Sequence, residues 1–221
     1  MSTLAKIGRS AKLEITRANL SGVLHLALKR IAVTGGIASG KSTVCRLFEE
    51  LGACYVSADE IVHQLLVPTT HFGKDIIALL GDDIVVGNTL DRRRIAQKVF
   101  CDPLLLRELE KRIHPEVQRV IETKYKTISP QHTSLFVAEV PLLFEAGLQD
   151  WYDEVIVVVG DEKERRKRFQ YNEDEYIRRA QHLIPIEEKI KKADRVIYNT
   201  GPLDQLRQTI YPIFFALKEN I

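Results

Sequence analysis

The stretch Gly35-Gly36-Ile37-Ala38-Ser39-Gly40-Lys41-Ser42 decides how this chain of 221 residues folds. It matches the phosphate-binding pattern in which two glycines, with four residues between them, precede Lys and then Ser or Thr. The apolar run Ile31 to Val33 before it predicts a strand, and residues 43–51 after it show a helical pattern. A strand, a glycine-rich loop and a helix in this order predict a nucleotide-binding P-loop.

Each residue type in this loop has a chemical reason. Glycines let backbone N–H groups turn inward around a phosphate, and the positive end of the following helix lies behind them. We expect Lys41 to reach the β- and γ-phosphates as a flexible point charge, with its side chain facing solvent before nucleotide binds. We expect the hydroxyl of Ser42 to bind Mg²⁺. The predicted phosphate-binding residues are Gly35, Gly36, Ile37, Ala38, Ser39, Gly40, Lys41 and Ser42.

The composition fits a globular protein with one main core. With 45% hydrophobic residues, a chain of this length can bury one core and add a small accessory domain or lid. The three cysteines, Cys45, Cys54 and Cys101, show neither a paired framework nor metal-ligand spacing, which favours a cytoplasmic, reducing location. No apolar stretch approaches the roughly 20 residues that cross a bilayer, so the sequence predicts a protein without a membrane span.

The first 29 residues differ from the rest in charge. Residues 1–30 contain six Lys and Arg against one acid, whereas the remainder contains 26 against 29, and this slightly acidic body argues against a nucleic-acid surface. Three interpretations of residues 1–29 remain open: a start codon assigned too far upstream, a mobile or amphipathic basic tail, and a targeting peptide. Because glycines and charges break up its apolar residues, we expect this extension to be mobile or loosely helical and the domain from residue 30 to be complete without it.

From residue 30 onward, apolar runs alternate with helical patterns, which predicts an α/β fold with a mainly parallel sheet. The insertion of about 58–130 is far longer than a crossover needs, and its apolar residues recur at helical spacing, so we expect an almost wholly helical substrate subdomain. The predicted strands cover about 30–34, 53–56, 134–139, 154–159 and 194–198. The domain 30–221 then has a core of about 30–57, 131–160 and 193–221, the subdomain at 58–130, and a charged helical stretch at 161–192.

Two carboxylates follow predicted strands, at the edge where open α/β sheets bind ligands. Asp59 can either cap the next helix or accept the proton of an attacking hydroxyl near the transferred phosphoryl group. Glu139 can hold a water on Mg²⁺, position Lys41, or remain a solvated carboxylate at the strand end. Asp59 and Lys41 are therefore the candidate catalytic residues, and Ser42 with Glu139 is the candidate metal site.

An ordered series of further motifs follows the loop. It comprises Leu51-Gly52, Ala58-Asp59-Glu60-Ile61-Val62-His63, Leu90-Asp91-Arg92, Val99-Phe100 with Asp102-Pro103, His114-Pro115, Val140-Pro141-Leu142-Leu143-Phe144-Glu145 with Gly147-Leu148, Glu187-Glu188-Lys189, Ala193-Asp194, and Val196-Ile197 with Asn199 and Gly201. With the loop and Thr43, the series resembles the dephospho-coenzyme A kinase family over about residues 30–215. No motif after the loop is decisive alone, but their order along the chain is highly specific.

The resemblance implies a P-loop NTPase three-layer sandwich with a five-stranded sheet. It implies transfer of the γ-phosphoryl group of MgATP to the ribose 3′-hydroxyl of dephospho-coenzyme A, which is the last step of coenzyme A biosynthesis. In the family's scheme Asp59 is the base, Thr43 contacts the α-phosphate, and the backbone of 38–41 surrounds the β-phosphate. The subdomain would hold the acceptor, and residues 161–192 would form a lid over ATP. The lid contains the basic run 165–168, which would face the triphosphate, and we expect Arg168 of this run to contact a phosphate group. We expect a monomer or weak homo-oligomer that acts on small molecules.

Three positions depart from the family's pattern. Ser57 stands where the family usually has Asp, which removes a second carboxylate near the acceptor. Glu139 also replaces a usual Asp and carries the charge on a side chain that is one methylene longer. Ala38 replaces a common glycine, and an αR or extended backbone at this position tolerates alanine. These departures predict a divergent but active member.

Two other functions remain open. One is another P-loop kinase that acts on a small molecule or nucleotide. The other is a nucleotide-dependent regulatory switch, although a switch GTPase needs an Asn-Lys-x-Asp segment and the nearest stretch, Asn199-Thr200-Gly201, does not fit. Acceptor-dependent release of ADP separates a kinase from a switch.

Overall fold

A parallel, five-stranded sheet forms the centre of the fold. The computed structural model describes residues 28–129, 133, 135–169, 176, 180–181 and 183–219. The sheet contains β1 (Lys29–Gly35), β2 (Cys54–Ser57), β5 (Leu135–Glu139), β6 (Glu154–Gly160) and β7 (Arg195–Asn199), while β3 (Val85–Val86) and β4 (Thr89–Leu90) pair separately. The strand order across the sheet is β2-β5-β1-β6-β7. The predicted α/β fold with a five-stranded parallel sheet is confirmed.

Helices occupy most of the connections between the strands of the sheet, and one more helix follows β7. They are α1 (Lys41–Glu50), α2 (Ala58–Leu65), α3 (His71–Leu80), α4 (Arg92–Val99), α5 (Pro103–Thr127), α6 (Glu162–Arg168), α7 (Ile186–Lys192) and α8 (Leu203–Glu219), with short 3-10 helices at Asp82–Ile84 and Gln149–Trp151. Parallel neighbours need such crossovers, because a parallel strand cannot be reached through a tight hairpin.

Helices cover both faces of the sheet, which explains why its strands are apolar on both sides. Strand β5 is buried at every residue. Phe48 of α1 and Phe214 of α8 pack on one face, whereas Ile61 of α2 and Ile121 of α5 pack on the other. Each such side chain contributes about 1.5–3 kcal/mol on burial, so the two cores hold a three-layer sandwich together.

Part of the insertion has an apolar core of its own. This core consists of Leu66, Ile76, Leu80, Ile84, Leu90, Ile95, Val99 and Leu109. The expectation of an almost wholly helical insertion missed the antiparallel hairpin of β3 and β4. Gly87, in its two-residue turn, has a φ of +58°, the positive value that such turns require. Strands of two residues are too short to show an alternating pattern.

Most of the predicted extension lies outside the described residues, as do 170–175, 177–179 and 182 of the charged stretch. The predicted mobility of the extension and the predicted lid therefore stay predictions. Leu28 is buried just before β1, and its carbonyl accepts a hydrogen bond from the Tyr125 hydroxyl at 3.0 Å. In the portion of the chain that the structure describes, no helix has the length and apolar character needed to cross a bilayer.

Candidate functional site

The predicted loop lies at the carboxyl end of β1, in the middle of the sheet. Gly35 has a φ of +149°, and a Cβ on it would lie 2.3 Å from the carbonyl oxygen of Val158, so a side chain does not fit. Gly40, at φ +92°, is the N-cap of α1, which has neither a side-chain cap nor an acidic residue in its first turn. The N–H groups and the positive end of α1 are therefore available to a phosphate.

Ala38 adopts a left-handed conformation. Its φ of +52° is the one positive value among non-glycine residues of the described chain. The backbone at Ala38 is therefore neither of the two conformations, αR or extended, that tolerate alanine without strain. A Cβ in the left-handed region costs about 1–2 kcal/mol, which explains why glycine is common at this position.

Replacing Ala38 with glycine should therefore stabilise the protein. Relief of about 1–2 kcal/mol of strain exceeds the about 0.4–1 kcal/mol that the added freedom of the unfolded chain costs. We expect Ala38→Gly to raise the Tm of the nucleotide-free protein by about 1–3 °C. The matched control, Ala96→Gly inside α4, should lower the Tm, because glycine weakens a helix. A Tm for Ala38→Gly at or below that of the wild type would contradict the argument.

Lys41 folds over the loop and does not face solvent. Its Nζ donates a hydrogen bond to the carbonyl oxygen of Gly36 at 2.9 Å, and its side chain is half-buried. The expectation of a solvent-facing side chain is wrong. Burial lowers the pKa of Lys41, while the negative charges of Glu139 and Asp59 oppose the shift. The three ionisable groups thus share one electrostatic environment.

Glu139 is buried at the end of β5 with an exposed fraction of 5%, so the solvated alternative is wrong. Its Oε1 accepts a hydrogen bond from Ser42 Oγ at 2.9 Å, and its Oε2 accepts one from the Tyr55 hydroxyl at 2.7 Å. No Lys or Arg within the described ranges forms an ion pair with it. A buried carboxylate that lacks a cationic partner and adjoins a serine hydroxyl fits a hydrated Mg²⁺, which prefers oxygen ligands.

Asp59 lies in the first turn of α2 and does not cap it. The N-cap is Ser57, whose Oγ accepts a hydrogen bond from the Glu60 N–H at 3.3 Å. With Glu60 at the third helical position, this is the Ser-x-x-Glu arrangement of a capping box. The capping alternative for Asp59 is therefore wrong. Its carboxylate is exposed and lines the same cleft as Lys41.

A cleft of about 1540 Å³ extends from the loop to the insertion. One end is lined by Gly35 and residues 37–43 with Asp59 and Glu139. Residues of α2, α4 and α5 and of the hairpin line the other end, with His63, Arg92, Arg93 and His114 as its ionisable nitrogen groups. The cleft exceeds the roughly 300–1,000 Å³ of common small-molecule pockets, so it has room for two substrates.

Of the four basic residues 165–168, two form ion pairs within their own helix and two lie near the phosphate loop. Arg166 and Lys167 bind Glu162 and Glu164 of their own helix at 2.8 and 2.7 Å. Arg168 lines the cleft near Gly40. Arg165 lies beside the loop, because a Cβ on Gly36 would be 3.1 Å from its Nη1. Gly36 itself does not line the cleft; its carbonyl holds Lys41.

Asn199 and Tyr55 are two contacts of the site that sequence reasoning missed. Asn199 Nδ2, at the end of β7, donates a buried hydrogen bond to the carbonyl oxygen of Ser39 at 2.9 Å. A Cβ on Gly40 would lie 2.1 Å from this nitrogen, so the amide occupies the space that glycine leaves. In the sequence, Asn199 is recognisable only as part of a motif. Its contact with Ser39 could not be predicted from local pattern, because 160 positions separate the two residues.

Comparison with known proteins finds a family match that covers most of the chain. A family profile described as CoaE, dephospho-CoA kinase, matches residues 29–205. The chain is 43% identical over 198 residues to the dephospho-CoA kinase of Chlamydia pneumoniae, covering 87% of this chain and 98% of that protein. The structure of dephospho-CoA kinase from Campylobacter jejuni superposes with a TM-score of 0.65 at 27% identity, and a structure from Thermus thermophilus with 0.73 at 31%; each match covers 86% of this chain and 98% of the other.

Proposed function

The chain belongs to the dephospho-CoA kinase family, and from this premise we propose that it transfers the γ-phosphoryl group of ATP to the ribose 3′-hydroxyl of dephospho-coenzyme A. The products are coenzyme A and ADP, so the reaction is the last step of coenzyme A biosynthesis. One observation carries the proposal: the phosphate loop, the hydrogen-bonded pair of Ser42 and the buried Glu139, and the exposed carboxylate of Asp59 line a single cleft.

The loop is proposed to bind the triphosphate. Backbone N–H groups of 38–41 surround the β-phosphate, and Thr43, in the first turn of α1, contacts the α-phosphate. When ATP binds, Lys41 Nζ leaves the carbonyl oxygen of Gly36 and donates its hydrogen bonds to oxygens of the β- and γ-phosphates. This exchange moves a half-buried charge from a neutral acceptor to an anionic one, which strengthens the hydrogen bond. Arg168, from the proposed lid, contacts the triphosphate.

Asp59 is proposed to act as the base. The acceptor oxygen attacks the γ-phosphorus, the bond from that phosphorus to the bridging oxygen of ADP breaks, and the hydroxyl proton passes to the Asp59 carboxylate. A carboxylate held at the start of a helix and facing the cleft can meet a hydroxyl beside the transferred group. Because Ser57 caps α2, Asp59 keeps both oxygens for this role.

Ser42 and Glu139 are proposed to hold Mg²⁺, Ser42 directly and Glu139 through water. The ion, when bound, neutralises charge that develops on the β- and γ-phosphates. Ser42 Oγ donates its hydrogen bond to Glu139 Oε1 at 2.9 Å, so the lone pairs of Ser42 Oγ stay free for the ion.

The insertion is proposed to hold the acceptor. Dephospho-coenzyme A carries a pyrophosphate, and Arg92 and Arg93 at the start of α4 supply two positive charges on the opposite wall. Neither guanidinium group forms a hydrogen bond or ion pair with another described residue, although the backbone N–H of Arg93 donates to Asp91 Oδ1 at 2.8 Å. Apolar side chains of the same wall, including Ile95, Leu106 and Ile113, suit the alkyl part of the acceptor.

Acceptor-dependent release of ADP tests the function. With MgATP and dephospho-coenzyme A, we expect ADP and coenzyme A to appear in equal amounts, and the omission of acceptor should leave only slow hydrolysis. Adenosine, shikimate and nucleoside monophosphates serve as competing acceptors. Faster ADP release with any of these would favour another small-molecule kinase, and a rate that ignores every acceptor would favour a regulatory switch.

The cysteine residues bear on the cellular compartment. We propose a cytoplasmic enzyme, since Cys45, Cys54 and Cys101 are free thiols and such thiols persist in a reducing compartment. We also propose that it works as a monomer or weak homo-oligomer without nucleic acid. The division into a core, an acceptor subdomain at 58–130 and a lid at 161–192 belongs to this proposal.

A further inference from the structure

Tyr55 holds Glu139 from the neighbouring strand. Strands β2 and β5 pair in parallel with Tyr55 opposite Val137 and Ser57 opposite Glu139. Side chains at alternate positions of a strand share a face, so Tyr55 and Glu139 lie on the same side of the sheet, one pleat apart. The phenol therefore reaches along the face to Glu139 Oε2 at 2.7 Å.

The two oxygens of Glu139 have separate partners. Oε2 accepts from Tyr55 and Oε1 accepts from Ser42. A glutamate has one more rotatable bond than the aspartate that is usual in the family, and each free torsion has several staggered positions. The ring of Tyr55 packs against the core beneath α1, so its hydroxyl is a fixed donor. With Oε2 held, Oε1 stays directed at Ser42.

We propose that Tyr55 is a positioning residue that orients Glu139 toward the Mg²⁺ site. This inference rests on the proposed function, because it presupposes that Ser42 and Glu139 serve the ion. Partners that orient metal-bound groups commonly change metal affinity by about 10- to 100-fold when they are removed. The hydrogen bond from Tyr55 thus fixes the longer glutamate side chain as firmly as the shorter aspartate side chain is fixed without it.

The test measures ATP binding by calorimetry, without acceptor, over a series of Mg²⁺ concentrations. We expect Tyr55→Phe to raise the Mg²⁺ concentration that gives half of the full enhancement of ATP binding by about 10-fold. ATP binding in EDTA should stay close to wild type. The nucleotide-free Tm should fall, because Glu139 Oε2 loses its hydrogen-bond donor, and a cooperative unfolding transition shows that the variant is folded. The matched control is Tyr125→Phe, which also loses one hydroxyl hydrogen bond, to the carbonyl of Leu28 at 3.0 Å, before β1 and away from the loop. Its Mg²⁺ dependence should match the wild type.

Glu139→Gln separates the possible failures. If Glu139→Gln shifts the Mg²⁺ dependence and Tyr55→Phe shifts it no more than Tyr125→Phe does, the role of Tyr55 is overturned and the metal site stands. If neither Glu139→Gln nor Tyr55→Phe shifts it, both assignments are overturned. A wild-type protein without acceptor-dependent ADP release overturns the proposed function, and the role of Tyr55 with it.

Discussion

Asp59→Asn should lower acceptor-dependent turnover by about 10²- to 10⁴-fold, the usual contribution of a positioned general base. The amide keeps the shape of the side chain but cannot take up the hydroxyl proton. Because Ser57 caps α2, the helix should remain intact and ATP affinity should change little. Steady-state kinetics with saturating ATP and acceptor measure the loss, and calorimetry measures ATP affinity.

Glu60→Gln is the matched control for Asp59→Asn. Glu60 is the next residue, is exposed in the same helical turn and does not line the cleft. Its substitution removes an equal charge at the same end of α2, so any general electrostatic effect of the turn appears in both variants. We expect turnover near that of the wild type for Glu60→Gln. Equal losses in the two variants, or near wild-type turnover in pure Asp59→Asn, would remove Asp59 from the mechanism.

Lys41→Ala should lower turnover by about 10²- to 10³-fold, the cost of removing one positioned donor to developing charge. Its effect on nucleotide-free stability should be small. The substitution loses one hydrogen bond to Gly36, worth about 1 kcal/mol, but it also removes the penalty of a half-buried charge, which is the main cause of the lowered pKa of Lys41. We therefore expect a Tm change no larger than about 2–4 °C.

The comparison for Lys41→Ala is Lys74→Ala, at an exposed lysine of α3 outside the cleft. Single-turnover phosphoryl transfer and thermal unfolding without ATP give the two readouts. Lys74→Ala should leave both unchanged. A Tm for Lys41→Ala that falls by far more than about 4 °C would make Lys41 a structural residue, and undiminished transfer would exclude it from the chemistry.

The sequence predicted features of this protein that local patterns determine. Apolar runs located the five strands of the sheet, and the glycine pattern located the loop that follows β1. Both signals are contained in a few neighbouring residues. The family resemblance, which was carried by motifs in order, is confirmed by the relatives.

Features set by tertiary contacts or by backbone conformation were not predictable in this way. The left-handed backbone of Ala38 has no signal in its residue type, which favours the opposite conformation. In the sequence, Ser57 is recognisable only as the loss of a family carboxylate. In the structure Ser57 caps the helix, because its short hydroxyl reaches the Glu60 N–H. The bond from Tyr55 to Glu139 joins residues 84 positions apart. The roles of Asp59 and Glu139 stay predictions until the variants are measured.

The hydrogen bond from Asn199 to Ser39 has a consequence for the order of events during synthesis. The ribosome makes the phosphate loop early, but the two strands that flank β1 come from residues 135–139 and 154–160, and the amide that holds the loop's carbonyl comes 160 positions after Ser39. A nascent chain therefore carries the loop's sequence long before it has the neighbours that shape it. The loop therefore reaches its final set of contacts only after β7 has been made and has paired with β6.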